Sequence, residues 1–341
     1  MNHYKSLSQQ SFELGSLRLV PIREEDKYLI MEWRNEQMFH LRQNKKLSRA
    51  DQERYFQAIV RPLFSQDKPN QILFSLLEED RCIGYGGLVH MDWNKLEAEI
   101  SFLMNTDLEF LRFEELWLSF LKMLNLVAFD ELGLARIFTY AYDLRKNLYA
   151  PILENKFKLK RIIPNALREA NRAYDVLIHT KLNTNYGLRD VAQKDLEITY
   201  SWAKHPSTRK YSFSQDAISF SSHQQWFLKR IRQVGLYKIF EYLGQPMGVF
   251  RLDLDGAKGV LSYSVAPEYH GKGYGKRLLL LGIHQAFEIT DIEELVGYVS
   301  KKNEASLHLF RSVDFCENNM TDRIQFVLKR TQYEDWTSKI G

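Results

Sequence analysis

An internal repeat limits the folds open to this 341-residue chain more than any other feature of its sequence. Near the N-terminus, residues 16–26 (SLRLVPIREED) lead through an amphipathic stretch to Trp33. Past the middle, residues 186–195 (YGLRDVAQKD) lead in the same way to Trp202, and the interval from aspartate to tryptophan is identical in both copies. Two copies of one pattern in a chain of this length predict two domains of similar fold.

Each copy also shows the same order of elements. Alternating or continuous apolar segments predict strands at 72–77, 82–89, 98–104, 136–142 and 173–181 in the first copy, and at 237–243, 247–252, 259–265, 295–300 and 323–328 in the second. A long helix follows the third strand of each set and a short helix the fourth. The pattern is α+β and predicts two domains, each a mixed, mostly antiparallel twisted sheet flanked by helices. The short polar turn at 183–185 places the boundary, giving domains 1–184 and 185–341.

Composition excludes several classes of protein. With 45% hydrophobic and 26% charged residues, the chain can fill two cores without metals or disulfides. The formal charge of +4 is spread along the chain, so neither nucleic acid nor a membrane surface is expected as a partner. The two cysteines are far apart and no ligand cluster has metal spacing, so no metal site is predicted. The N-terminus has no signal-peptide pattern, and a cytoplasmic location is expected.

A glycine-rich segment follows the predicted strand at 259–265. Residues 268–277 read EYHGKGYGKR, and an apolar helix is predicted to begin just beyond them. Gly271, Gly273 and Gly275 allow backbone amides to turn toward one point at the positive end of that helix. The segment therefore predicts a cradle for a phosphate or pyrophosphate.

Two other phosphate-binding motifs do not fit this segment. It is not a dinucleotide fingerprint, because the strands before it are predicted to be antiparallel and no βαβ unit follows. It is not a P-loop, because no Gly-Lys-Ser/Thr closes it. The remaining alternative to an anion cradle is a simple glycine-rich turn that joins strand and helix.

Residues 270–275, with the strand before them and the helix after them, resemble the acetyl-CoA loop of GNAT acetyltransferases. Gly273 and Gly275 match the glycines of that loop, and His270 stands where the family has Arg or Gln. Residues 299–306 (VSKKNEAS) resemble the family's next block, whose Asn and Ser lie along the pantetheine and adenosine. The resemblance implies acetyl-CoA or another short acyl-CoA as cofactor, bound by Ser264, Val265, Ala266, His270, Gly271, Lys272, Gly273, Tyr274, Gly275, Lys276, Asn303 and Ser306.

By the same resemblance, the expected reaction is direct transfer of an acyl group to a primary amine. A backbone N–H within 264–266 would stabilise the oxyanion. The family's usual tyrosine acid is replaced by Phe310, so water or Tyr263 would have to protonate the thiolate. His223 is the candidate base, although a histidine at that helical position can equally cap or pack the helix.

The first copy lacks the glycine-rich segment. At the corresponding place, residues 105–115 read NTDLEFLRFEE, with four acids and no glycine. The carboxylates would repel a pyrophosphate and the side chains would block the amides. We therefore expect a degenerate domain that is silent in catalysis or shapes the substrate.

The acceptor is suggested by a second resemblance. Residues 33–35 (WRN) resemble a segment of both the amino-sugar branch of the family and the ribosomal-protein branch. The series from Trp202 to Phe227 resembles most the amino-sugar branch, which includes enzymes of pseudaminic and legionaminic acid pathways. A nucleotide-linked amino sugar is then the expected acceptor, and the candidate contacts are Arg209, Tyr211, Ser212, Phe213 and Trp226. The alternatives are acetylation of a protein N-terminus, as in the ribosomal-protein branch, and a non-catalytic CoA-binding module. Two fused copies predict either a monomer that imitates a dimer or a homodimer.

Overall fold

A computed structural model describes residues 2–169, 172–214, 216–233 and 235–338. These residues form two compact units that divide between Asn183 and Thr184, and they are called here the first and the second domain. In the described part of the chain, no helix combines the length and the apolar character needed to cross a bilayer. Each domain contains one sheet with helices packed against it, so the predicted α+β class is confirmed.

The first domain, over its described residues, is built on an eight-stranded sheet in the order β1-β2-β3-β4-β5-β6-β8-β7. Its strands are β1 Phe12–Leu14, β2 Leu17–Pro21, β3 Ile72–Glu78, β4 Arg81–Asp92, β5 Glu97–Met104, β6 Arg136–Tyr142, β7 Lys158–Glu169 and β8 Arg172–Leu182. Its helices are α1 Lys27–Glu36, α2 Arg49–Tyr55, α3 Arg61–Leu63, α4 Thr106–Asn125 and α5 Tyr149–Glu154.

The second domain repeats this plan with a seven-stranded sheet among its described residues, in the order β14-β15-β13-β12-β11-β10-β9. Its strands are β9 Tyr186–Asp190, β10 Gly235–Tyr242, β11 Gln245–Asp255, β12 Lys258–Val265, β13 Glu294–Ser300, β14 Cys316–Asn319 and β15 Arg323–Lys329. Its helices are α6 Leu196–Lys204, α7 Pro206–Arg209, α8 Phe220–Arg230, α9 Tyr274–Ile289, α10 Glu304–Arg311 and α11 Arg330–Ser338.

In each sheet a parallel pair of strands comes apart halfway along its length. In the second domain, residues 258–261 of β12 pair with 294–297 of β13, and the pairing then ends. In the first domain, residues 97–99 of β5 pair with 136–138 of β6 and go no further. Each strand stays bonded to its outer neighbour beyond that point, so a gap opens inside the sheet.

The helix α9 closes one face of the second sheet. Its apolar residues recur at helical spacing, which buries Leu279, Ile283 and Phe287. Gly282 lies against β11 so closely that a Cβ atom there would overlap the ring of Phe250, which is fully buried. The helix that begins at the glycine-rich loop is thereby held in a fixed position on the sheet.

The strands β1, β7 and β14 and the helix α11 are among the elements that the sequence pattern did not predict. The three strands lack a sustained apolar alternation. All four residues of β14 (CENN) are exposed, and β14 is a strand because it pairs with β15. Long-range pairing has overridden local propensity at these places.

The contact between α9 and β11 predicts an unusual effect of Gly282→Ala. In an open helix this change would stabilise by about 1 kcal/mol, but here the new methyl group meets a buried ring, and overpacking costs about 1–3 kcal/mol. We expect a lower midpoint of thermal unfolding, measured by calorimetry. Gly275→Ala in the same helix is the matched control, since its nearest atoms lie 3.6 Å or more from the added Cβ. Equal midpoints for Gly282→Ala and wild type would contradict the packing described.

Candidate active site

The glycine-rich loop connects the end of β12 at Val265 to the start of α9 at Tyr274. Gly271 and Gly273 have φ angles of +76° and +80°, in the left-handed region that L side chains rarely adopt. A Cβ atom on Gly271 would project into open space, and Gly273 is the N-cap of α9. Tyr274, Gly275 and Lys276 form the first helical turn, whose amides have no partner within the helix. These residues fit a pyrophosphate.

Side chains brace this loop and surround it with positive charge. The Nε2 of His270 lies 2.9 Å from the carbonyl oxygen of Val265, to which it donates, so His270 ties the loop to the strand end. Lys272 lies over the ring of Tyr269, with its Nζ 5.6 Å from the centroid. Arg277 lies over the ring of Tyr274 at 5.9 Å.

The backbone of β12 is exposed toward the gap at alternate residues. The amide of Ala266 donates to the carbonyl of Met247 at 2.8 Å, so this residue bonds toward the β11 side. In an antiparallel pair the amides alternate in direction, which turns the N–H groups of Val265 and Tyr263 away from β11 and toward β13. Because β13 has already diverged there, those two amides face the gap.

Tyr263, Ser306 and Asn303 meet on the far side of the gap. The hydroxyl of Tyr263 lies 3.1 Å from that of Ser306, and Asn303 caps α10 by accepting from the amide of Ser306 at 3.2 Å. Burial raises the pKa of Tyr263 to about 12, so the phenol stays protonated and can donate. Phe310 packs over Gly297 and stacks on Phe326 at 4.8 Å, as part of the core.

A cavity of about 510 Å³ is lined by residues 262–264 of β12 together with residues of β11, α6 and α8. It brings together five residues singled out from the sequence, namely Arg209, His223, Trp226, Tyr263 and Ser264. Residues not singled out also line it, among them Thr199, Asp216, Tyr237 and Arg251. The other three acceptor candidates lie elsewhere in the described chain: Tyr211 under Lys210, Ser212 bonded to Thr208, and Phe213 under Arg323.

His223 is buried in the wall of this cavity. Its Nε2 lies 3.2 Å from the hydroxyl of Thr199, and that hydroxyl donates to the carbonyl of Asp195 at 2.8 Å. Because the Thr199 hydroxyl donates its only proton to Asp195, it can only accept from His223. The Nε2 of His223 therefore carries a proton, and Nδ1 is the nitrogen that can act as a base. Burial lowers the pKa of His223 below its usual 6.5, which keeps the imidazole neutral at pH 7.

Two arginines give the cavity a positive character. Arg209 donates to the carbonyls of Asp216, at 2.8 Å, and Ser214, while its buried Nε has no hydrogen-bond partner among the described residues. Arg251 lies 5.6 Å from the ring centroid of Trp226 and 3.2 Å from the carboxylate of Asp253. A charged residue inside the apolar run of β11 was the sequence signal that could have identified Arg251.

The first domain has no loop at the corresponding place. Its β5 ends at Met104 and α4 begins at Thr106, so Asn105 alone separates strand from helix. The side chain of Asn105 accepts from the amide of Asp107 at 2.8 Å, occupying a donor that a phosphate would need. Residues 105–115 occupy the position of the loop in the sequence repeat, but in the structure they form the N-cap and the first turns of α4.

Comparison with known proteins agrees with this geometry in both halves. Residues 19–178 match one family model described as an acetyltransferase (GNAT) domain, and residues 186–315 match a second model of the same description. The chain belongs to the GNAT acetyltransferase superfamily. This GNAT protein is thus an acyl-CoA-dependent N-acetyltransferase with two domains in tandem.

Individual relatives of the GNAT protein are distant. A spermidine N(1)-acetyltransferase of Escherichia coli strain K12 is 24% identical over 132 residues, which are 38% of this chain and 71% of that protein. Spermidine N-acetyltransferase from Vibrio cholerae, solved with CoA and spermine, is 18% identical with a TM-score of 0.42, covering 45% of this chain and 99% of its own. Aminoglycoside acetyltransferase AAC(6')-Ib, solved with coenzyme A, is 15% identical with a TM-score of 0.40, covering 44% and 98%.

The loop geometry predicts how acetyl-CoA binds. Gly273→Glu places a side chain at a left-handed φ and a carboxylate at the phosphate cradle, so calorimetric titration is expected to show one site in the wild type and none in the variant. Gly256→Glu is the matched control, because Gly256 has a φ of +58° in a turn with nothing within 4 Å of an added Cβ. Two sites in the wild type, or equal loss in both variants, would overturn this assignment.

Proposed function

We propose that the second domain transfers an acetyl group from acetyl-CoA to the primary amine of a nucleotide-linked amino sugar, by direct attack and without a covalent enzyme intermediate. The observation that carries the proposal is the position of the open edge of β12. The glycine-rich loop begins directly after β12, and residues 262–264 of the same strand line the 510 Å³ cavity, so thioester and amine would meet near Val265.

The backbone of β12 would stabilise the charge that develops on the carbonyl oxygen. Of the three residues considered from the sequence, Ala266 donates its amide to Met247, and Ser264 bonds toward β11 by alternation. Val265 alone of these three presents its N–H to the gap. A fixed amide there would serve as the oxyanion donor and needs no rearrangement during the reaction.

His223 and Tyr263 would move the two protons. His223 lines the amine side of the cavity as a neutral imidazole and can accept the proton that the attacking amine must lose. Tyr263 also faces the cavity, holds its proton through neutral pH and contacts Ser306, so it can protonate the leaving thiolate in place of the residue that Phe310 replaces.

The charge of the cavity supports an anionic acceptor. Spermidine, the substrate named for the curated relative, is a polycation, and it would meet Arg209 and Arg251 with one carboxylate, Asp216, among the lining residues. A phosphate-bearing acceptor would instead gain charge-assisted bonds from those arginines. Trp226, which is 39% exposed, offers a flat surface for a sugar or base.

The first domain is proposed to be silent in acetyl transfer. It lacks the loop, Asn105 occupies the helix amide, and the first turn of α4 carries Asp107 and Glu109. A pyrophosphate would be repelled there. Residues 1–184 would then affect the reaction only by helping to bind the substrate or by contributing to subunit association.

Release of free thiol from acetyl-CoA in the presence of an amino-sugar nucleotide tests the proposed transfer. Acetylation of peptides with a free N-terminus, in place of sugars, would identify the protein N-terminal acetyltransferase alternative.

The acceptor assignment predicts a selective effect of Arg251→Gln. The variant should lower kcat/KM for a UDP-linked amino sugar by about tenfold to a hundredfold, as expected for loss of a charged hydrogen bond. The free amino sugar should be affected little, since it has no phosphate. Thiol release measured with both acceptors and with spermidine checks this. Spermidine as the best substrate would refute the anionic acceptor.

The role of His223 predicts a pH profile. Because burial lowers the pKa of His223 below its usual 6.5, the base is neutral and active above the lowered pKa and is lost only as the pH falls through that lowered pKa. The rate kcat should be constant above pH 7 and fall in acid, and His223→Gln should reduce kcat by about 10²–10⁴-fold and flatten the acid limb. His308→Gln, an exposed histidine of α10, is the control. An unchanged acid limb in His223→Gln would exclude this base.

A further inference from the structure

The first domain retains a cavity at the place where its strands diverge. A space of about 300 Å³ opens beyond the last pairs of β5 and β6, although the glycine-rich loop is missing. Its polar walls include Arg34, Arg42, Arg145, Glu99, Trp117 and Thr139. The first domain, which is proposed to be silent in acetyl transfer, therefore contains a cavity lined by many charged and polar groups.

Two buried groups in this wall have no hydrogen-bond partner among the described residues. They are the indole Nε1 of Trp117 and the hydroxyl of Thr139, on side chains that are 3% and 4% exposed. Buried polar groups are almost always paired. An indole N–H can only donate, so its missing partner must be an acceptor.

The arginines of the cavity are not all neutralised by carboxylates. Arg42 pairs with Glu99, which also contacts His90 at 2.9 Å, and Arg145 pairs with Glu109 at 2.7 Å. Arg34 differs from them. Its hydrogen-bond partners among the described residues are neutral, the Tyr85 hydroxyl at 2.6 Å and the Gln43 amide oxygen at 3.0 Å.

The remaining titratable groups do not cancel this positive charge. Burial and the charge of Arg145 lower the pKa of His40 to about 3, so this side chain stays neutral. Tyr140 and Tyr142 also line the cavity, and burial raises the pKa of Tyr140 above its usual value. Arg34 thus leaves an excess positive charge in a cavity that Trp117 and Thr139 also line.

We infer that this cavity binds a small organic carboxylate with an aromatic body. A carboxylate accepts only, which suits Arg34, the indole N–H of Trp117 and the Thr139 hydroxyl. The walls supplied by Phe102, Phe113 and Trp117 suit a flat apolar body. The volume of about 300 Å³ is at the lower end for small-molecule pockets, which limits the ligand to a single ring.

Calorimetric titration of the full chain with phenylacetate tests this inference, with phenylacetamide as a neutral ligand of the same shape. Saturable binding of phenylacetate at one site, with a Kd below about 1 mM, and at least about tenfold weaker binding of the amide are expected. Arg34→Gln keeps polar atoms near Tyr85 and Gln43 but removes the charge, and it should weaken phenylacetate binding by about tenfold or more.

Two controls assign the site. Arg54→Gln removes an exposed charge from α2 of the same domain, and Arg251→Gln removes an arginine from the cavity of the second domain. Both should leave phenylacetate binding unchanged. Absence of binding in the wild type, equal binding of phenylacetamide, or an equal loss in either control would overturn the inference, whatever the fate of the proposed acetyl transfer.

A second variant keeps the test valid if Arg34→Gln does not fold. Thr139→Val replaces an unpaired hydroxyl by a methyl group of similar shape, so the midpoint of thermal unfolding should stay the same or rise. Phenylacetate binding should nevertheless weaken by about threefold or more. Unchanged binding in a folded Thr139→Val variant would show that the hydroxyl is a structural remnant and would overturn its role.

Discussion

The second domain depends on the point at which β12 and β13 stop hydrogen bonding. As far as Leu261 and Gly297, the backbone groups of the two strands hydrogen bond to each other. Beyond these residues, the amides of β12 that point toward β13 have no partner on that strand. Buried backbone groups must be paired by something. A sheet that opens inside its own core therefore creates a row of donors for a ligand, and the loop, the helix end and the cavity are arranged around that row.

The same opening has different surroundings in the two domains. In the second, eight residues connect β12 to α9 and include two glycines in the left-handed region, Gly271 and Gly273. In the first, Asn105 alone connects β5 to α4, and its side chain accepts a hydrogen bond from the amide of Asp107 in the first turn of the helix. The fold supplies the gap in both cases, while the residues at its mouth decide which ligand chemistry it can accept.

Much of the fold and of the cofactor loop followed from the sequence, because those features are local. The central strands of both sheets carry continuous apolar runs, and the glycines of the loop are required by backbone conformation alone. The prediction failed at β7 and β14, whose residues are polar or mixed and become strands through pairing with β8 and β15. The sequence showed that residues 105–115 lack glycine, but only the structure shows that they form the cap and the first turns of α4.

The sequence by itself determined the repeat, the class of fold and the glycine-rich loop, since each follows from residues close together along the chain. The tertiary structure alone decided which side chains share a cavity. Thr199, His223 and Arg251 lie on three separate elements, α6, α8 and β11, and become neighbours through packing. In the first domain, Arg34, Trp117 and Thr139 meet in the same way. Contacts between distant segments depend on how the sheet twists and where it opens, which no local pattern encodes.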